Sequence, residues 1–303
     1  MDQAQIFDRK AVLQHRKRAA ADFGRYDFLY REVADRLADR LLDFSRPFPC
    51  ALEIGSRQGI LAGMLEGRGG VRELLEMNPC GTDAEQVGRK TGDCSIRTVV
   101  ADDEVLPFGE RQFDLIISNL ALHWVNDLPG LLLQVNRCLR PDGFFLASMF
   151  GGETLKELRS ALMDAEMEVE GGVSPRVSPF VDVRDAGGLL QRAGFALPVA
   201  DFDTLSVTYA SALELMKDLR GMGEANAVLA RRKTLMRKET LFRAAELYHE
   251  RFSDGEGRIT ASFDVVYLGG WRPDQTAQQQ PLRPGSAVQK LTDLFMKEPD
   301  ERD

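Results

Sequence analysis

The chain has 303 residues, a formal net charge of −8, 44% hydrophobic and 28% charged residues. That balance describes an ordinary globular protein able to bury a sizeable core. Its acidity argues against general nucleic-acid binding, which draws on basic surfaces, and its longest apolar stretches, near 113–122 and 143–150, fall short of the roughly 20 residues of a spanning helix.

The first ten residues, MDQAQIFDRK, show no apolar core of a secretory signal. Asp2 and Asp8 speak against an acid-poor presequence, so a cytoplasmic protein is expected. Residues 6–44 read as helical in two pieces around Gly24, with Phe28, Leu29, Val33, Leu37, Leu41 and Leu42 recurring at spacings of three and four. Arg16-Lys17-Arg18 in this region, and Arg231-Arg232-Lys233 much later, read as solvated helix faces. Strands are expected at 50–54, 71–76, 96–101, 113–118 and 143–149, with helices near 58–66, 83–91 and 127–139. Such alternation of nearly continuous apolar strands with helices predicts a parallel sheet covered on both faces. Ligands bind such a sheet beyond the carboxyl ends of its strands.

After Gly151-Gly152 the pattern changes. A helix over 153–168, the Gly/Pro/Ser loop "EGGVSPRVSPF", a helix over 182–193 and a strand over 199–208 are expected. Two further helices, about 211–220 and 234–251, flank "RGMGEANA", and a last strand runs over 259–268. The domain reading is a helical cap at 1–47, one domain at 48–270 with a helical insert at about 209–255, and a flexible Gln- and Pro-rich tail at 271–303. Cys50, Cys80, Cys94 and Cys138 form no CxxC pair, and His15, His123 and His249 are too dispersed to suggest a metal site.

Chemistry-bearing residues fall just after the strands. "CALEIGSRQGILAGML" places Glu53 at a strand end and Gly55 and Gly59 around the turn into a helix. A dinucleotide fingerprint starting at Gly55 needs glycine at 57 and 60, where Arg57 and Ile60 stand, so NAD or FAD is disfavoured. A side chain at 57 is tolerable only with negative φ there or with the loop displaced outward. After the second strand, Asn78 occupies the position of a ribose-binding acid, with Glu76 as the alternative. Asp102 is a candidate acceptor for an exocyclic amine, and the Asp103 N–H a candidate donor to a ring nitrogen. Ser118-Asn119 and His123-Trp124 line the crevice; His123 is either a general base or a packed imidazole.

Taken together, the Glu53-x-Gly55-x-x-x-Gly59 turn, "DDEVLPF", "FDLIISNLALHWV" and "LRPDGFFLASMF" resemble class I S-adenosylmethionine-dependent methyltransferases. They are similar in particular to the branch holding the biotin-pathway malonyl-carrier-protein methyltransferase and the complex I assembly factor. The likeness to the assembly factor extends through "MFGGETLKELR", "LLQRAGF", "ELMKDLRGMGEANA" and "YLGGW". The resemblance implies a Rossmann-like, seven-stranded α/β sheet with its last strand antiparallel, N-terminal helices, and a helical insert between strands six and seven. It implies S-adenosylmethionine as cofactor, with Glu53, Gly55 and Gly59 at its methionine end, Asn78 at the ribose, Asp102 and Asp103 at the adenine and Asn119-Leu120 at the sulfonium; Arg57, in the same turn, is a further cofactor-binding candidate. Tyr26 and Tyr30 of the N-terminal helices close the pocket in this reading. Arg57 and Asn78 depart from the family's usual glycine and acid.

Three functions follow as expectations. The first is a methyltransferase with His123 as base, acting on a protein or carrier-bound substrate, a complex I subunit being the implied partner. The second is arginine hydroxylation of such a subunit, for which the residues show no 2-His-1-carboxylate spacing. The third is a non-catalytic assembly chaperone. "RGMGEANA" reads as a substrate lid or a helix–helix connection, and Arg176 and Glu224 stand in segments able to reach the pocket mouth.

Overall fold

Apolar runs bounded by Gly and Pro become the parallel heart of one sheet in the computed structural model, which describes residues 5–81 and 89–274. β1 (Cys50–Ile54), β2 (Glu73–Met77), β4 (Cys94–Val99), β5 (Phe113–Asn119) and β6 (Leu139–Phe150) pair in parallel. β7 (Ala196–Tyr209) and β8 (Ile259–Trp271) complete the far side, with β8 antiparallel to both β6 and β7. The order is β3-β4-β2-β1-β5-β6-β8-β7.

The sheet thus has eight strands where seven were expected. The addition is β3 (Arg89–Thr91), which turns back antiparallel on β4. A helix was expected over 83–91; residues 89–91 are this strand, because Gly92 at φ 55 makes a tight reversal into β4. The rest of that expected helix, 83–88, lies outside the described residues, as does 275–303 of the expected tail.

Alternation along each strand feeds two apolar cores. Ala51, Leu115, Ile117 and Leu146 point to one side, under α2 (Phe28–Asp39), α3 (Ile60–Met64) and α5 (Lys156–Glu170). Leu52, Ile116, Phe145 and Ala147 point to the other, under α4 (Leu128–Cys138) and α6 (Val183–Arg192). α1 (Arg9–Ala19) starts where the Asp8 carboxylate accepts from the Ala11 N–H, a standard way to satisfy a free helix-start donor. The insert between β7 and β8 holds α7 (Ala212–Met222) and α8 (Lys238–Phe252).

Gly55 shows why a glycine is needed directly after β1. Its φ is 76, and a Cβ there would lie 2.3 Å from the Ala121 Cβ. Close packing of the two strand ends therefore explains this glycine without a ligand. Gly55→Ala is expected to cost about 1–3 kcal/mol, from backbone strain and overpacking together. Urea unfolding checks this, and an unchanged midpoint would show that the Ala121 side yields freely.

Candidate functional site

The carboxyl ends of β1, β2, β4 and β5 bring most of the expected residues to one crevice. Glu53 and Ser56 are buried there, and Asn78 accepts from the Cys80 N–H at 2.7 Å through its side-chain oxygen. Glu76, the alternative to Asn78, is engaged instead with Arg89 at 2.6 Å and Thr98 at 3.3 Å. In the glycine turn, φ is positive at Gly55, Gln58 and Gly59 but not at Arg57. The arginine is therefore accommodated without strain, and the left-handed step passes to its neighbour Gln58.

Arg57 lies over the rings of Phe23 and Tyr30, 4.6 and 4.9 Å from their centroids, and donates to the Met222 carbonyl. Stacking of this kind suits a guanidinium, which is weakly hydrated on its faces. Asn119 is committed to structure: its amide nitrogen donates to the Tyr30 carbonyl at 3.0 Å, and Ser148 donates to its oxygen at 2.9 Å. Leu120 follows at φ 45, donating to both Ser148 oxygens. These residues fasten α2 to the ends of β5 and β6.

The two acids after β4 are already paired. Arg9 of α1 contacts Asp102 at 2.5 Å, and Arg16 contacts Asp103 at 2.9 Å. Arg16 and Asp103 are almost wholly buried, at 5% and 1% exposure. Of the expected solvated face Arg16-Lys17-Arg18, Lys17 and Arg18 are exposed as expected, and Arg16 is not. Arg16 stands on the apolar stripe of α1 with Val12 and Ala19, so the spacing of four and three was the available signal. Burial outweighs Arg16 and raises the Asp103 pKa above the usual carboxylate value. With α1 seated, the gap among Arg16, Phe23, Arg57, Gln58, Asn78 and Cys80 is about 10 Å³, at the limit for one water. Several buried polar atoms around the crevice have no partner: Arg16 Nε and Nη2, Arg57 Nη1, Asp103 Oδ1 and Ser56 Oγ.

Glu224 is the residue that sequence reasoning could not place. α7 ends in a left-handed Gly223 (φ 80), with the Gly223 N–H donating to Arg220 and the Glu224 N–H to Leu219. This glycine-terminated cap swings Glu224 inward. Its carboxylate accepts from His123 Nε2 at 3.0 Å, from Trp124 Nε1 at 2.9 Å and from the Tyr30 hydroxyl. Burial alone would raise its pKa, but His123, Arg57 and Tyr30 prevail and hold it at about 2. Burial pushes His123 below the ordinary histidine value despite that carboxylate. The ring is thus neutral at pH 7, with Nε2 carrying the proton and Nδ1 a buried lone pair without a partner.

Elsewhere in "RGMGEANA", Gly221 lies inside α7, where a Cβ would meet the Tyr26 ring at 2.3 Å. The two glycines serve packing and a helix end. Arg176 donates to Glu166 at 2.8 Å through Nε, and Arg231 pairs with Asp8 at 3.0 Å. The segment holding Arg231, Arg232 and Lys233 is not helical, so the expected helix face is absent there.

A family model described as a methyltransferase domain matches residues 24–198. The chain belongs to the methyltransferase-domain family. It is 41% identical over 291 residues to the mitochondrial arginine-hydroxylase NDUFAF5 of Danio rerio, covering 95% of this chain and 89% of that one. It is 34% identical to the malonyl-[acyl-carrier protein] O-methyltransferase of Laribacter hongkongensis, covering 90% and 92%. In fold it is similar to the solved YcgJ protein of Bacillus subtilis, with a TM-score of 0.53 at 14% identity, covering 78% of this chain and 98% of that one. The methyltransferase fold and the resemblance to both branches therefore stand. The cytoplasmic expectation does not: relatives matched over nearly the whole chain are mitochondrial by name. Two early acidic residues do not determine where a folded domain works.

Proposed function

We propose that the protein is an S-adenosylmethionine-dependent enzyme that modifies a protein substrate by methyl transfer, with respiratory complex I assembly as its context. The observation that carries this reading is that Glu53, Asn78, Asp102 and Asp103 stand at or just after the carboxyl ends of the neighbouring strands β1, β2 and β4, beside buried polar atoms of Ser56, Arg16, Arg57 and Asp103 that have no partner. Those groups suit the cofactor's polar parts. Asp102 offers an acceptor to an exocyclic amine and the Asp103 N–H a donor to a ring nitrogen, Asn78 meets ribose hydroxyls, and the unpartnered guanidinium N–H groups of Arg16 and Arg57 face an anionic end. Entry requires Arg9 and Arg16 to leave Asp102 and Asp103.

Bound there, the cofactor supplies an electrophilic methyl group. The chain's own part is to align the substrate nucleophile and to take up its proton. His123 Nδ1 is the available lone pair, and Glu224 fixes the tautomer by accepting from Nε2. Calorimetry with S-adenosylmethionine and S-adenosylhomocysteine tests the reading; binding is expected, weakened several-fold in Asp102→Ala. Absence of heat with both ligands would favour the chaperone function.

A second reading rests on the relatives named arginine-hydroxylase. Intact mass of an arginine-bearing complex I subunit, from cells with and without the gene, separates the two. A gain near 14 Da marks CH2 and one near 16 Da marks oxygen, on the order of atomic-mass arithmetic alone.

A further inference from the structure

Two cavities of about 490 and 560 Å³ lie side by side against the loop that carries Arg176, Val177 and Phe180, which lines both. The first reaches inward to Glu224, and therefore to the His123 ring. Its floor is apolar, built from Leu155 at the start of α5, Leu158 and Leu162 of α5, and Met216 and Leu219 of α7. Its walls carry Arg176, Arg220, Arg231, Arg232 and Lys233.

These cations are not equivalent. Arg176, Arg231 and Arg232 are neutralised by Glu166, Asp8 and Glu170. Arg220 and Lys233, both exposed at the mouth, have no ion pair among the described residues. Arg159 in the second cavity donates, among the described residues, to the Gly152 and Thr154 carbonyls and has no ion pair there. Lys233 shares only the field of Asp8, which Arg231 already pairs, so in a chain of net charge −8 an apolar trough edged by an excess of cations selects its occupant by charge. Acidic groups are repelled by the molecule as a whole and attracted here, which fixes orientation as well as affinity.

We propose that this trough is a peptide-binding site that takes an extended segment of apolar and acidic residues from the protein substrate. One side chain of the segment enters toward Glu224, apolar neighbours cover the α5–α7 floor, and acidic neighbours meet Arg220, Lys233 and Arg159. The inference rests on the protein-modifying reading above and adds the sequence character that the substrate carries around the modified residue. Two adjoining cavities suit a chain running past both, where one compact ligand would fill one.

Fluorescence anisotropy of labelled 13-residue peptides with the full chain is the test, using alternating Glu/Leu, Lys/Leu and Glu/Ser sequences. The Glu/Leu peptide is expected to bind, more weakly at higher salt, and the other two at least tenfold more weakly. The double charge reversal Arg220→Glu with Lys233→Glu, and separately Met216→Trp to fill the floor, should each weaken Glu/Leu binding tenfold or more. Both variants should keep the wild-type affinity for S-adenosylhomocysteine, which shows that the fold and the crevice are intact. Equal binding of the Lys/Leu peptide, or full affinity in both variants, overturns the proposal. Displacement of the Glu/Leu peptide by free 4′-phosphopantetheine at comparable concentration also overturns it, in favour of a carrier-bound ligand. Failure of S-adenosylhomocysteine to bind the wild type sinks the cofactor reading alone, since the anisotropy result stands without it.

Discussion

Glu224→Ala is expected to lower the free energy of unfolding by about 3–5 kcal/mol, the cost of leaving several buried donors without their shared acceptor. The side chain is 4% exposed and gathers donors from three elements: Tyr30 of α2, and His123 and Trp124 after β5. Removing the carboxylate leaves all three donors buried, each at a cost of about 1–3 kcal/mol where water cannot replace it. The adjoining cavity admits some water, which keeps the total below the sum. Urea unfolding at pH 7 gives the number, and a loss under about 1 kcal/mol would show that water substitutes fully. The same residue sets an acid limit. Its pKa falls from 4.5 in the unfolded chain to about 2 in the folded one. A depressed carboxylate contributes stability that is complete above the unfolded value and lost as pH drops toward the folded one. Wild type should therefore lose about 3 kcal/mol between pH 4.5 and 2 that Glu224→Gln does not lose. Parallel pH profiles for the two proteins would refute that assignment.

Arg16→Met is the second large effect, expected at about 3–5 kcal/mol at pH 7 because Asp103 is left charged and unpaired in the interior. Methionine keeps the length of a side chain that lines the small gap with Phe23 and Ala20, so lost charge dominates the result. Asp103→Asn in the Arg16→Met background should restore most of the loss, and the double-mutant cycle isolates the pair. The sign with pH follows from the raised Asp103 pKa. A carboxyl favoured in its neutral form stabilises the fold at low pH and loses that contribution as pH rises through its folded value. The Arg16→Met deficit should hence shrink between pH 7 and pH 4. A deficit independent of pH would place the damage in packing.

The central strands β1, β5 and β6 were readable from runs of apolar residues, since a strand buried on both faces needs them regardless of its partners. The small β3 was not, because "RKT" has no apolar signature and is a strand only by pairing with Cys94–Ser95–Ile96. Asn78, Asp102, Asp103 and His123 were legible as strand-end polar residues, and they follow the carboxyl ends of β2, β4 and β5 in the sheet. Asn119 was legible as a position but not as a function, since its amide joins α2 to Ser148 across 89 and 29 residues of chain. Arg57 looked like damage to a glycine turn; the unseen element was the Phe23–Tyr30 pair that receives its guanidinium.

By itself the sequence determined the class of sheet, the crevice edge and the family, because periodicity and strand-end motifs are local properties of the chain. Only the tertiary structure decided that Arg9 and Arg16 close over Asp102 and Asp103, and that Glu224 binds the His123 ring. Those contacts join residues 93, 87 and 101 positions apart. A charge on a helix reads as solvated until a partner with the opposite sign is carried beside it, and no local pattern records that partner.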